Sequence, residues 1–236
     1  LPIVLALPLF VWLVAPWRWR ERAWQIEARF VAASAAGFLI GAALNLTWIL
    51  AAAWCALLWG WLRERLSEPT RGRAFLLIPL PFLALPWVSL DGEVLGMAFR
   101  LSGAWVTENV FSTIGFNVVR EGTLLSIQGA PISVEAACAG LNTLQSMLIA
   151  GVSLVFVVNG SSRFHWYNIA LLIPLAWLAN TVRIVILSGA AVSVSSEFAT
   201  GTFHDLSGWL VIVTMFLICW GVMALEKRWI PQTKIT

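Results

Sequence analysis

Charge is scarce in this chain. Only 11% of its 236 residues are Asp, Glu, Lys or Arg, against 60% apolar residues and a mean hydropathy of +0.84. That shortage excludes a soluble enzyme, a disordered chain and a nucleic-acid-binding module, because uncharged runs this long have no aqueous fold in which to hide. Cysteine is scarce too. Cys55, Cys138 and Cys219 are odd in number and lack CxxC spacing, which argues against a disulfide framework or a zinc site. No linker, low-complexity stretch or insertion of soluble-domain size breaks the sequence. Residues 1–17 lack the basic start and small-residue cleavage site of a secretory signal, and read as a membrane span. What remains is a single integral membrane domain over residues 1–236, all-α and polytopic, with the lipid bilayer as its surroundings and no nucleic acid as partner.

The few bases set its topology. Uncharged runs occupy residues 1–17, 30–62, 74–90, 139–158, 166–182 and 206–225, each about long enough to cross some 30 Å of hydrocarbon. The second run has 33 residues, which as one helix would measure roughly 50 Å. Both of its flanks are basic, with Arg18, Arg20, Arg22 and Arg29 before it and Arg63, Arg65, Arg71 and Arg73 after it. If Lys and Arg stay in the cytoplasm, the run is a hairpin turning near Asn45.

That choice gives seven transmembrane helices. Residues 1–90 carry the N-terminal spans, and residues 226–236 form a cytoplasmic tail with Lys227, Arg228 and Lys234. Residues 91–137 lie outside, where bases are few: with residues 189–205 they hold seven acids against Arg100 and Arg120. Within this outer-face segment, residues 94–114 predict an amphipathic helix lying on the outer surface. Short extended pieces follow around Gly122–Leu125 and Ile132–Val134.

Ionisable and amide side chains inside spans are functional candidates by default. In the first cluster, Glu135 and Cys138 open an apolar helix, and Cys138, Asn142 and Gln145 at i, i+4 and i+7 share one face. A thiol there either packs, as Cys55 and Cys219 do inside their spans, or is activated by the positive end of the helix dipole. The second cluster is Asn180-Thr181-Val182-Arg183, whose guanidinium either snorkels to the outer headgroups or faces an inner site with Asn180 on the same side. The third, Phe203-His204-Asp205-Leu206-Ser207-Gly208-Trp209, sits at the mouth of the last span. The topology brings Cys138, Arg183 and His204 to the same outer face and leaves His165 in a cytoplasmic loop with Arg163. Thiol, imidazole and guanidinium are the groups that nucleophilic acyl transfer needs as nucleophile, proton carrier and oxyanion partner. One Cys and one His without a third ligand make a poor metal site, and no cofactor is indicated.

The stretch Val134-Glu135-Ala136-Ala137-Cys138-Ala139-Gly140-Leu141, followed by Asn180-Thr181-Val182-Arg183-Ile184 and a histidine ahead of the final span, resembles the exosortase/archaeosortase family. The resemblance runs over about residues 115–225 and implies a multi-pass cell-membrane protein acting as a cysteine transpeptidase or endopeptidase at the outer face. Its implied substrates are membrane-anchored proteins with a C-terminal sorting signal. It makes Cys138, Arg183 and His204 the catalytic residues of a span bundle over 138–225, with Asn180 matching the asparagine of the arginine motif. Glu135, Asn142, Gln145 and Asp205 stand as supporting residues. The family cysteine is commonly followed by Ser-Gly, whereas here Ala139-Gly140 follows, and many members carry an eighth span. A transporter or channel, and a non-catalytic subunit of an envelope assembly, are the competing readings. The transporter lacks an inverted repeat and polar residues at the midplane.

Reporter fusions test this topology. Those after Arg73 and after Gln232 are expected to report the cytoplasm and one after Gly122 the outside. A cytoplasmic signal from the Gly122 fusion would remove the convergence of the three clusters.

Overall fold

The computed structural model describes residues 2–21, 26–91, 93–134, 141–160 and 165–229. The chain divides into two compact units, one of residues 1–92, 145–170 and 223–236 and one of residues 93–144 and 171–222.

The first unit begins with α1 (Pro2–Val14), α2 (Ala28–Leu44) and α3 (Thr47–Arg65). The long uncharged run is a hairpin, as its basic flanks require. Asn45 turns the chain at φ 53° and ψ 44°, a left-handed conformation that asparagine tolerates better than most side chains. Asp91 then receives the start of α3, its Oδ2 accepting from Thr47 Oγ1 and from the Trp48 backbone N–H, each at 2.7 Å. Small residues let the two helices approach: a Cβ on Gly60 would lie 2.6 Å from Phe30 Cβ, and one on Gly37 would lie 2.8 Å from Ala53 Cβ. At the far end of the hairpin the two basic flanks meet. Trp19 and Leu66 form a β-bridge, the Arg20 N–H donates to the Arg65 carbonyl at 2.7 Å, and Arg73 Nη1 donates to the Ala15 carbonyl at 2.8 Å. Trp17 stacks on Trp19, which meets Trp61 edge-on, an aromatic group of the kind that settles at a membrane–water boundary. Outside the helices, Arg29 beside Glu27, with Arg63 further off, holds the Glu27 carboxyl below the usual carboxylate range.

The run 74–90 departs from the expected single span. It falls in α4 (Thr70–Leu76), α5 (Pro79–Ala84) and α6 (Trp87–Leu90), so the count of seven continuous helices does not hold in this segment. Pro79 opens α5 and Pro86 stands just before α6; lacking an N–H and clashing with the preceding turn, each bars the helix before it from continuing, while Pro81 lies within the first turn of α5. The carbonyls so released are met by side chains. Trp87 Nε1 donates to the Phe82 carbonyl at 3.0 Å, and Gln145 Nε2 donates to the Leu83 and Leu85 carbonyls at 2.5 and 2.8 Å.

Among the described residues, four more helices follow the outer segment: α8 (Leu141–Asn159), α9 (His165–Ser193), α10 (Ser196–Thr200) and α11 (Thr202–Trp229), after α7 (Glu93–Thr113). Helices α9 and α11 are long and apolar enough to cross a membrane. At 29 and 28 residues they measure about 43 and 42 Å. Shorter apolar helices are α1, α2 and the Gln145–Asn159 part of α8. His165, expected in a cytoplasmic loop with Arg163, is instead the first residue of α9 and is buried, with Nε2 2.9 Å from the Leu76 carbonyl at the end of α4. A helix end leaves its last carbonyls without partners, and the imidazole satisfies one of them.

In the second unit the helix expected over 94–114 is α7, displaced by one residue at each end. The extended pieces are more than isolated strands. Val118–Glu121, Leu124–Ile127 and Ala130–Ser133 form an antiparallel sheet in the order β1-β2-β3, so the chain is mostly helical and not strictly all-α. Two-residue loops join the strands. Gln128 and Gly129 both have positive φ (53° and 83°), as the tightest right-twisted hairpins require. Alternation along β2 and β3 buries Leu125, Ile127 and Ile132, which with Val134 pack on Ala104 and Phe111 of α7 and Ile184 of α9. Gly103 permits that approach, since a Cβ there would lie 2.6 Å from Ile184 Cδ1.

Candidate active site

The second unit holds one buried guanidinium. Arg183 stands in the apolar helix α9 and is 4% exposed. In an apolar surrounding every N–H that it leaves unpaired is costly, and the first turns of α11 supply acceptors. Arg183 Nη2 donates to the His204 carbonyl at 3.0 Å and Nε donates to Ser207 Oγ at 3.4 Å. Ser207 Oγ in turn donates to the same His204 carbonyl at 2.8 Å, closing a three-membered arrangement. Gly208 completes it by having no side chain: a Cβ there would lie 3.3 Å from Arg183 Nη2 and 3.5 Å from Cζ. The guanidinium therefore lies against the backbone of α11.

Neighbouring helices hold Arg183 in this position. Two residues before it, Thr181 Oγ1 donates to the Trp177 carbonyl at 2.9 Å, and Trp177 Nε1 donates to Ser102 Oγ on α7 at 2.9 Å. The adjoining Ile184 is sealed under the sheet. The His204 ring is half-buried in the first turn of α11, and Asn180 is half-buried one turn before Arg183.

A guanidinium and the first turn of a long helix, at the positive end of its dipole, both favour an anion. An oxyanion or thiolate is the chemical species they would stabilise.

Of the residues expected at the site, Arg183 and His204 are brought together, with Asn180 one turn along α9. Asp205 lies in the first turn of α11 and Asn142 in the first turn of α8. Cys138 and Glu135 lie outside the described residues. Gln145, assigned by its spacing to the face of Cys138, is committed to the Leu83 and Leu85 carbonyls. Cys55 and Cys219 are buried free thiols inside their helices. Ser207 and Gly208 were not singled out by the sequence. Their signal was a hydroxyl and a missing side chain at i+3 and i+4 from His204, the positions that face a neighbouring helix together with it.

Alongside this arrangement runs an apolar groove of about 180 Å3 between α9 and α11. Leu178, Val182, Ile186, Leu206 and Leu210 line it, together with Ser207, so one hydroxyl belongs to both.

Comparison with known families decides the assignment: the family model described as transmembrane exosortase matches residues 3–221. The chain belongs to the transmembrane exosortase family. The match extends the resemblance to the N-terminal helices and makes this a membrane protein. No curated protein and no solved structure matches the chain.

In this exosortase the contact of Gly208 with Arg183 can be tested by size. Gly208→Val is expected to cost about 1–3 kcal/mol by forcing the guanidinium from the α11 backbone, read as a lowered midpoint of thermal unfolding in detergent. Gly221→Ala on the same helix, where nothing lies within 4 Å of the added Cβ, is expected to leave the midpoint unchanged or slightly raised. Equal midpoints for Gly208→Val and the parent would contradict the packing described.

Proposed function

We propose that this exosortase is a cysteine transpeptidase or endopeptidase of the cell membrane, cutting C-terminal sorting signals from exported proteins at the outer face and passing them to an acceptor. The observation that carries the reading is the buried Arg183 guanidinium against the first turn of α11 beside His204, in a family whose sequence pattern sets a cysteine, Cys138, ahead of them.

In this reading the Cys138 thiolate attacks the carbonyl carbon between the exported domain and its membrane anchor. A sulfur–carbon bond forms, and the carbonyl oxygen takes the displaced electron pair. Arg183 stabilises that oxyanion with charged N–H donors, while Asn180 orients the guanidinium or the substrate backbone. His204 delivers a proton to the leaving nitrogen as the carbon–nitrogen bond breaks, leaving a thioester on Cys138. An acceptor nucleophile at the outer face then takes the acyl group and returns the thiol. The groove beside Ser207 supports the choice of substrate, because its apolar lining suits a membrane-anchored segment. Glu135, three residues before Cys138, favours the start of that helix and is not a fourth catalytic group.

Co-expression with a tail-anchored substrate tests the proposal through the substrate's size. Cys138→Ala, Cys138→Ser and His204→Ala are each expected to reduce processing by at least about 100-fold with insertion intact. Arg183→Lys is expected to fail nearly as badly, because a point-like ammonium cannot replace a forked donor. Glu135→Gln should retain most activity. Near-normal processing by Cys138→Ala would falsify the thiol mechanism.

A further inference from the structure

The first unit contains a second polar cluster that plays no part in this chemistry. Asn159 closes α8, Asn168 lies in the first turn of α9, and Glu226 follows the long uncharged stretch of α11. Both amides donate to one carboxylate oxygen, Asn159 Nδ2 at 3.2 Å and Asn168 Nδ2 at 2.9 Å from Glu226 Oε2. A carboxylate only accepts, so each amide must turn its nitrogen to it and its oxygen away. Those two oxygens are buried and, among the described residues, neither has a hydrogen-bond partner. The asparagines are themselves 5% and 3% exposed, so water is kept from them.

Simple geometry keeps the orphaned oxygens close to the acid. Nitrogen and oxygen of one amide are about 2.2 Å apart, so both oxygens lie within roughly 5.5 Å of Glu226 Oε2. Among the described residues no Lys, Arg or His nitrogen is within ion-pair distance of Glu226. His165, one turn before Asn168 on the same face, adds a further acceptor: with Nε2 on the Leu76 carbonyl, its buried Nδ1 has no partner among the described residues. Among the described residues, acceptors thus outnumber donors around this carboxylate.

We propose that Asn159, Asn168 and Glu226 form a binding site for a small monovalent cation of the sodium class. The donors are hard oxygens, the class preferred by alkali and alkaline-earth ions over softer metals. One carboxylate balances one positive charge, whereas a divalent ion would be left with net charge in an apolar surrounding. Water could satisfy the amide oxygens but would leave the charge uncompensated. A bound ion would clamp the end of α8, the start of α9 and the last turns of α11. The proposal is independent of the reaction assigned to Cys138.

The test uses the full chain in detergent at constant ionic strength, with choline chloride replaced stepwise by sodium chloride. The thermal midpoint is expected to rise and then saturate with sodium, as for any ligand bound only by the folded state, and Glu226→Gln and Asn168→Leu should abolish the rise. Radioactive sodium binding to the unsubstituted protein gives a second reading that does not depend on the variants folding; saturable uptake of about one ion per chain is expected. Asn159→Asp, which doubles the negative charge, should move the preference from sodium to calcium. No sodium-specific rise together with no saturable binding, or an undiminished rise in Glu226→Gln, would overturn the proposal.

Discussion

A guanidinium cannot be left bare in hydrocarbon, and the arrangement of the second unit follows from where Arg183 finds its acceptors. Lipid offers no hydrogen bonds, so a charged donor inside an apolar helix must be met by protein groups or carry a large desolvation cost. The His204 carbonyl and the Ser207 hydroxyl meet it, which brings α9 and α11 together at the first turns of α11. Closeness of that kind has steric conditions. Gly208 is small enough for the guanidinium to lie on the helix backbone, and Gly103 lets α7 press on Ile184 beside Arg183. The sheet then covers Ile184 and closes the other flank. In the proposed reaction an arginine so held would already be in place as charge develops, the condition under which a fixed donor accelerates a reaction.

The same constraint separates structural from chemical use of the other polar groups. Gln145 lies among apolar neighbours, yet both of its N–H groups are spent on carbonyls released by the prolines after α4. Asp91 is spent on the start of α3, and His165 on the end of α4. These side chains replace backbone hydrogen bonds that the sequence has broken, and their removal would be felt first in stability. Asn159 and Asn168 differ, because the group they bond is the Glu226 carboxylate and not a backbone carbonyl.

Much of this was legible in the residues. The eight arginines flanking residues 30–62 required a hairpin, and Asn45 is where it turns. Helix α7 follows from a segment of matching length, α9 and α11 contain the runs 166–182 and 206–225 but extend past both ends of each, and the grouping of Arg183 with His204 follows from a topology argument alone. What could not be read depended on partners distant in sequence. That residues 74–90 break was signalled by three prolines, but proline within an apolar run is also compatible with a kinked span. The hydrogen bonds of Gln145 go to carbonyls about sixty residues away, which its spacing from Cys138 does not show. Strand β1 (Val118–Glu121) was not among the extended pieces read from the sequence; it is fixed by its pairing with β2.

The central claim is that the positive charge of Arg183 serves an acyl transfer through the Cys138 sulfur. Its most direct measurement is mass spectrometry of the denatured enzyme taken from a reaction with a tail-anchored substrate. The account predicts a hydroxylamine-labile acyl adduct on Cys138, accumulating in the unsubstituted enzyme and nearly absent in Arg183→Lys. Substrate turned over with no adduct on Cys138, or an adduct formed as readily in Arg183→Lys as in the parent, would contradict it.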